Sequence, residues 1–245
     1  MSLPEIKYPI HNVFVAGIGD VKVRPFNGHE EKSLLTTKES DELKDTMAAL
    51  DGILRACTFN EYGTDNLALF QVEQLFLGIR SVSVGPTSDV YLDNNVCEKE
   101  ECPKAIHLTI DLSAPVVETF DGEQYDDKQH KDQLAKTILI DDDSMGVTVK
   151  CPSADRVAQF QQQYDPIEAM AIASLDKPFD KDNVYTNFSD QEIADWYFNI
   201  PYVSRSEIET FVLQTPTLVY RSKWTCPNCQ NTEDVILEGL DSFFG

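Results

Sequence analysis

Two pairs of closely spaced cysteines, Cys97 with Cys102 and Cys226 with Cys229, constrain this chain more than any other feature in it. In Cys226-Pro227-Asn228-Cys229 a short turn between two β-type segments brings two thiols together, which suits two positions of a tetrahedral zinc. Two thiolates leave a structural site half coordinated. Cys97 and Cys102, with four residues between them, supply a second pair within the spacing zinc sites tolerate. One structural zinc held by Cys97, Cys102, Cys226 and Cys229 is therefore the expected reading. The competing readings are a redox CxxC, two pairs of free thiols, or a disulfide between Cys97 and Cys102. A redox CxxC sits at the start of a helix, where the dipole lowers the thiol pKa; here a turn and then a strand pattern follow. His107 is a candidate substitute ligand, although a lone histidine on an alternating strand is more often solvated. Cys57 lies on an apolar helical stripe and Cys151 on the inward parity of a strand with Val147 and Val149, so both are expected as core thiols.

Cysteines spaced for a metal fit a reducing compartment, and the first residues agree with one. Met1 to Pro9 hold no basic segment followed by an apolar run, so secretion is not expected. No stretch has the roughly 20 apolar residues that span a bilayer, and a soluble protein made in the cytosol is expected, with no membrane partner. Asp and Glu number 42 against 20 Lys and Arg, a formal charge of -22, which repels phosphate backbones. Nucleic acid is excluded as an expected partner. The acidity serves solubility, or attraction to a basic protein surface. Nothing in the pattern specifies an oligomeric state.

Along the chain, residues 13–24 read as two short strands around a glycine turn, with Val21 and Val23 inward. Asn27 and Glu30 have capping-box spacing, so a helix should begin near Gly28. Leu43, Met47, Leu50, Leu54 and Cys57 form a helical stripe over about 40–57, and a third helix over about 66–80 should bury Leu69, Phe70, Leu75, Phe76 and Ile79. Ile106 to Leu112 alternates as a half-buried strand. The acidic segment 113–137 reads as a surface loop, followed by a hairpin of 137–140 with 146–151 around Asp141-Asp142-Asp143. A helix from Ser153 should break at Pro166 and resume to Leu175. Ser189 with Glu192, and Ser204 with Glu207, both have capping-box spacing and predict helices over about 190–199 and 205–214. Strands at 218–225 and 235–237 then flank the CxxC.

The expected fold is α+β: a mostly helical body with short antiparallel strands and a C-terminal zinc-ribbon-like module. The expected division is 1–95, a strand hairpin plus helical body; 96–152, the first zinc pair with a β-rich insertion; 153–217, a helical segment; and 218–245, the CxxC module and tail.

Catalytic constellations are missing from the pattern. There is no phosphate loop and no nucleophile elbow, and His29-Glu30-Glu31 lacks the second histidine of a zinc protease. Gly17-Ile18-Gly19 reads as turn glycines. Asp141 to Asp143 would need a bidentate Glu where Pro152 stands to make a calcium loop.

Val21-Lys22-Val23-Arg24-Pro25-Phe26, with Glu30-Glu31-Lys32-Ser33-Leu34-Leu35 after it, resembles the baseplate hub assembly proteins of T-even-like contractile-tailed bacteriophages. The order of later parts is similar to theirs: a helix ending Leu77-Gly78-Ile79-Arg80, a cysteine pair, an Ile110-Asp111-Leu112 strand, and Cys226 to Cys229 leading into Glu238-Gly239-Leu240 and Phe243-Phe244. The central pair departs from a CxxC. The resemblance implies a non-enzymatic viral protein that binds other baseplate and tail proteins. It would act as an assembly chaperone or as a structural subunit of the hub, in the host cytoplasm during assembly or retained in the virion's tail baseplate. Outside that family the alternatives are a zinc-containing protein–protein adaptor and, last, a metal hydrolase, whose open metal position four thiolates would close. Phe243 and Phe244 are expected to pack beside the zinc module or into a partner.

Overall fold

Alternating valines drive the first two strands together. In the computed structural model, which describes residues 6–37, 43–96, 105–140 and 144–239, β1 (His11–Val15) pairs antiparallel with β2 (Gly19–Val23), Val13 opposite Val21. The turn between them holds Gly17 at φ +78° and Gly19 at φ +97°, left-handed backbone that glycine adopts without a Cβ penalty. Asn27 then caps α1 (Gly28–Thr37): its Oδ1 accepts from the His29 N–H at 2.8 Å, and Glu30 accepts from the Asn27 N–H at 2.6 Å. Arg24 donates to the same carboxylate at 2.9 Å in a largely buried pair.

α2 (Leu43–Cys57) buries Leu50, Ile53, Leu54 and Cys57 along one stripe. α3 (Leu69–Val84) is apolar nearly all round and runs through the middle of the molecule. Its Val72, Leu75, Phe76 and Ile79 pack with β1, β2 and α2, while Phe70 and Leu77 face a second cluster. Leu69, expected inside, is 41% exposed because it opens the helix on the outer side. The polar groups of the β1–β2 turn are met by α3 itself: Gln74 accepts from the Ala16 N–H at 2.8 Å, and Gln71 donates to the Ala16 carbonyl at 2.9 Å.

The second cluster is built by β3 (Thr87–Val96), paired antiparallel with β4 (Ala105–Asp111), and by a three-stranded sheet. That sheet has the order β10-β9-β5, from β5 (Val116–Glu118), β9 (Thr217–Thr225) and β10 (Thr232–Glu238). β4 alternates as its sequence predicts, with Ile106, Leu108 and Ile110 buried. Segment 113–137 is not a free loop. Val117 and Tyr125 are buried, and Arg221 of β9 holds Glu118 through two short contacts of 2.9 and 2.7 Å.

The third cluster combines β6 (Ala135–Leu139), β7 (Gly146–Lys150) and β8 (Leu175–Phe179), in that sheet order, with four helices. These are α4 (Ala154–Phe160), α5 (Pro166–Ser174), α6 (Asp190–Asn199) and α7 (Tyr202–Leu213). The Ser189–Glu192 box forms as read, with the Ser189 N–H 2.8 Å from Glu192 and the Glu192 N–H 3.3 Å from the Ser189 hydroxyl. The Ser204–Glu207 box does not form. α7 starts earlier, after Pro201, and Ser204 Oγ instead donates to the Leu139 carbonyl at 3.2 Å.

The expectation of a mostly helical body is thus corrected. Among the described residues, seven helices and ten antiparallel strands in four small sheets give 37% helix and 29% strand. The physical reason is that the strand pairs bury one face on α3 or on the α4–α7 group, so strands contribute to every core. A zinc-ribbon-like module is likewise corrected. The CxxC hairpin is not a separate unit but two strands of the β10-β9-β5 sheet, and its Trp224, Val235 and Leu237 lie in the same apolar cluster as Phe70 and Leu77 of α3.

Candidate metal centre and surface clefts

Trp224 and Val235 point inward from β9 and β10, and the strands run on to a tight turn that carries Cys226 and Cys229. The turn is fixed by its own backbone: the Cys226 N–H donates to the Asn231 carbonyl at 2.8 Å, and the Gln230 N–H to the Cys226 carbonyl at 2.9 Å, with Gln230 at φ +61°. Cys226 is fully buried and Cys229 half-buried, in the apolar cluster that also holds Leu92 and Ile106. Leu92 and Ile106 are themselves partners across β3 and β4. Cys97 and Cys102 lie outside the described residues, between Val96 and Ala105, which pair with each other. Among the described residues no group of three or more His, Cys, Asp or Glu side chains is arranged to hold a metal ion. The donor chemistry present, two soft thiols on a rigid turn, fits half of a tetrahedral site.

His107 sits on the other face of β4 from Ile106 and Leu108. Its ring stacks on Tyr91 at 4.3 Å and its Nε2 lies 3.6 Å from Asp89, so it faces away from the cluster that holds Cys226. Burial pushes the Cys57 thiol up to about 11 and the Cys151 thiol up to about 12, and Cys151 Sγ lies 3.5 Å from the Gln133 carbonyl. Neither is a nucleophile at neutral pH. Cys57 is fully buried as read from its stripe, while Cys151 is only half-buried. Asp141 to Asp143 and the Phe243-Phe244 tail lie outside the described residues.

A cleft of about 670 Å³ opens between α2 and α4, lined by Met47, Asp51, Arg55, Asp155 and Gln159 among others. No motif signals it in the sequence, because its walls come from distant helices. Its central cation is engaged: Arg55 donates to Asp51 at 2.8 Å and to Asp65 at 2.6 Å. The arrangement holds the loop after α2 in place and offers no nucleophile–base pair. No helix among the described residues is long and apolar enough to cross a membrane.

Compared with known families, residues 8–245 match the family model described as T4 bacteriophage base plate protein. No curated protein and no solved structure matches the chain.

Proposed function

The chain belongs to the T4 bacteriophage base plate protein family, a family of phage baseplate proteins, and from that membership we propose that it is a non-enzymatic protein of the baseplate hub that works by binding other baseplate and tail proteins. The observation that carries the reading is the family match across residues 8–245, nearly the whole chain. The three packed clusters support it, since they give the protein several packed surfaces and, among the described residues, no constellation with a nucleophile beside a base. Assembly takes place in the host cytoplasm. The protein serves either as a chaperone that leaves or as a subunit that stays, and a mass-spectrometric inventory of purified virions and of assembly intermediates separates the two. Presence in both identifies a retained subunit, and presence in intermediates alone identifies a chaperone. Phage lacking the gene should accumulate tails without complete hubs; normal baseplates in that phage would overturn the reading.

A structural zinc at Cys97, Cys102, Cys226 and Cys229 is part of the same proposal. It is supported by the rigid thiol turn and by the packing of Leu92 and Ile106, from the two strands that flank 97–104, in one cluster with Cys226 and Cys229. Such an ion would tie the middle of the chain to its end, and apparent binding energies of about 10 to 16 kcal/mol in zinc peptides show that it could dominate local folding. Protein purified without added metal should contain about one zinc per chain by mass spectrometry, and C226S/C229S should contain none and melt lower. Metal-free protein in which all six cysteines titrate as thiols would sink this part while leaving the baseplate reading intact.

A further inference from the structure

The corner between α6 and α7 carries large apolar side chains that are left exposed to solvent. Phe198, at the end of α6, is 42% exposed, and Tyr202 and Val203, at the start of α7, are 73% and 70% exposed. Beneath them the corner is stiff: Ile200, Tyr197 and Ile208 are buried, and Pro201 fixes the entry to α7. Two neighbours are held against the corner. The Phe198 ring centroid lies 5.6 Å from that of Tyr164, and Ser204 Oγ holds the carbonyl of Leu139, whose side chain is 55% exposed. Several large apolar groups on one rigid, solvent-facing corner mark an interaction site more often than a solvation accident.

Charge says what fits there. α6 and α7 carry five carboxylates, Asp190, Glu192, Asp195, Glu207 and Glu209, against one cation, Arg205. That cation is already engaged, 3.5 Å from Glu209 and over the Tyr197 ring at 5.9 Å. The crowding continues at the start of α5, where burial first and the neighbouring Asp165 second hold the Glu168 carboxyl above its ordinary value. A second copy would bring the same sign of charge to the same place, and nucleic acid or an anionic lipid surface would be repelled. A basic protein surface is drawn in by the rim and desolvated by the apolar centre.

We infer that the α6–α7 corner is the docking surface for a Lys/Arg-rich segment of another baseplate protein, whose apolar side chain seats on Tyr202 and Val203 while its cations meet the carboxylates of α6 and α7. This rests on the baseplate reading and locates the interaction within it. The test uses the full chain and the individually purified baseplate proteins of the same phage, with binding measured by calorimetry at about 50 and about 200 mM salt. Three variants are compared: Y202S/V203S at the centre, D195K/E207K on the rim, and F14S on the distant β1 hairpin, where Phe14 is 57% exposed. All three change exposed side chains, and thermal melts check that folding is retained. Wild type should bind a basic subunit. Y202S/V203S should weaken it at least about tenfold at either salt concentration. D195K/E207K should weaken it about tenfold at low salt and less at high salt, and F14S should leave it unchanged. Binding unchanged by the first two variants, or lost equally with F14S, overturns the corner as the site while the baseplate reading stands. Failure of wild type to bind any baseplate protein overturns both.

Discussion

Gly78 lies where α3 crosses β1, and replacing it with alanine should destabilise the protein although alanine is the better helix former. An added Cβ would stand 2.3 Å from Val13 Cγ1, 2.9 Å from Cγ2 and 3.2 Å from Cβ. Carbon atoms in contact prefer about 3.5 to 4.0 Å, so the helix and the strand must part by about 1 Å or Val13 must leave its well. Rotating Val13 exchanges one methyl for the other and does not clear the space, because both methyls and Cβ already crowd the position. The helix-propensity gain of about 1 kcal/mol is set against an overpacking cost of about 1 to 3 kcal/mol. The expected net loss is about 1 kcal/mol, a fall of about 2 to 4 °C in Tm for a chain of this size. Val13→Ala alone removes half-buried methyls and costs about 1 kcal/mol. In the double variant the closest approach is from the Val13 Cβ position at 3.2 Å, so most of the clash is relieved. G78A/V13A should therefore be more stable than the sum of the single effects by about 1 kcal/mol, read from urea denaturation of the four proteins. A stabilised G78A, or strictly additive losses, would refute the claim that close helix–strand approach holds glycine there.

Other expectations follow from particular contacts. Burial alone would raise the Glu30 carboxyl, but the Arg24 guanidinium and the Asn27 N–H outweigh it and hold it below its ordinary value. The contribution of the pair is accordingly complete above the unfolded glutamate range near about 4.3 and is lost as pH falls through the lower folded value. E30Q should cost about 2 kcal/mol at neutral pH, and the gap to wild type in urea melts should shrink below about pH 4; a gap that widens in acid contradicts this sign. Two capping-box spacings that look alike in the sequence should behave differently in thermal melts. E192A should lower the melting temperature, because the Ser189 N–H loses its acceptor, whereas E207A should leave it close to that of wild type. Equal losses would argue that both boxes form.

Local chemistry was readable wherever one residue met its own neighbours. Asn27 with Glu30 and Ser189 with Glu192 start helices because their partners are three residues away and need nothing distant. Gly17 and Gly19 close the first hairpin, and β4 alternates because one face of it is always wet. The strand β3 was invisible. Thr87-Ser88-Asp89 and Asp93-Asn94-Asn95 carry little strand preference, and the segment is extended because β4 supplies its hydrogen bonds. β8 was hidden in the same way, since Leu175 to Phe179 contains Pro178 and reads as the end of a helix. It is the outer strand of its sheet, paired with β7 and bridged beyond that only by the short return at residues 183–185, so a missing N–H is tolerated. The second serine box failed because Ser204 found the Leu139 carbonyl, far away in sequence, and Pro201 had already started the helix.

The candidate sites divide along the same line. Sequence alone determined that Cys226 and Cys229 share a turn between two strands, because spacing and flanking pattern are local properties. It also determined the acidity, which composition carries without any fold. Only the tertiary structure decided that Cys226 is fully buried under the β3–β4 hairpin's cluster and that His107 faces away from it. It also decided that Tyr202 and Val203 stand in solvent on a helix whose other residues include carboxylates. Burial depends on what packs across from a residue, and that partner comes from elsewhere in the chain.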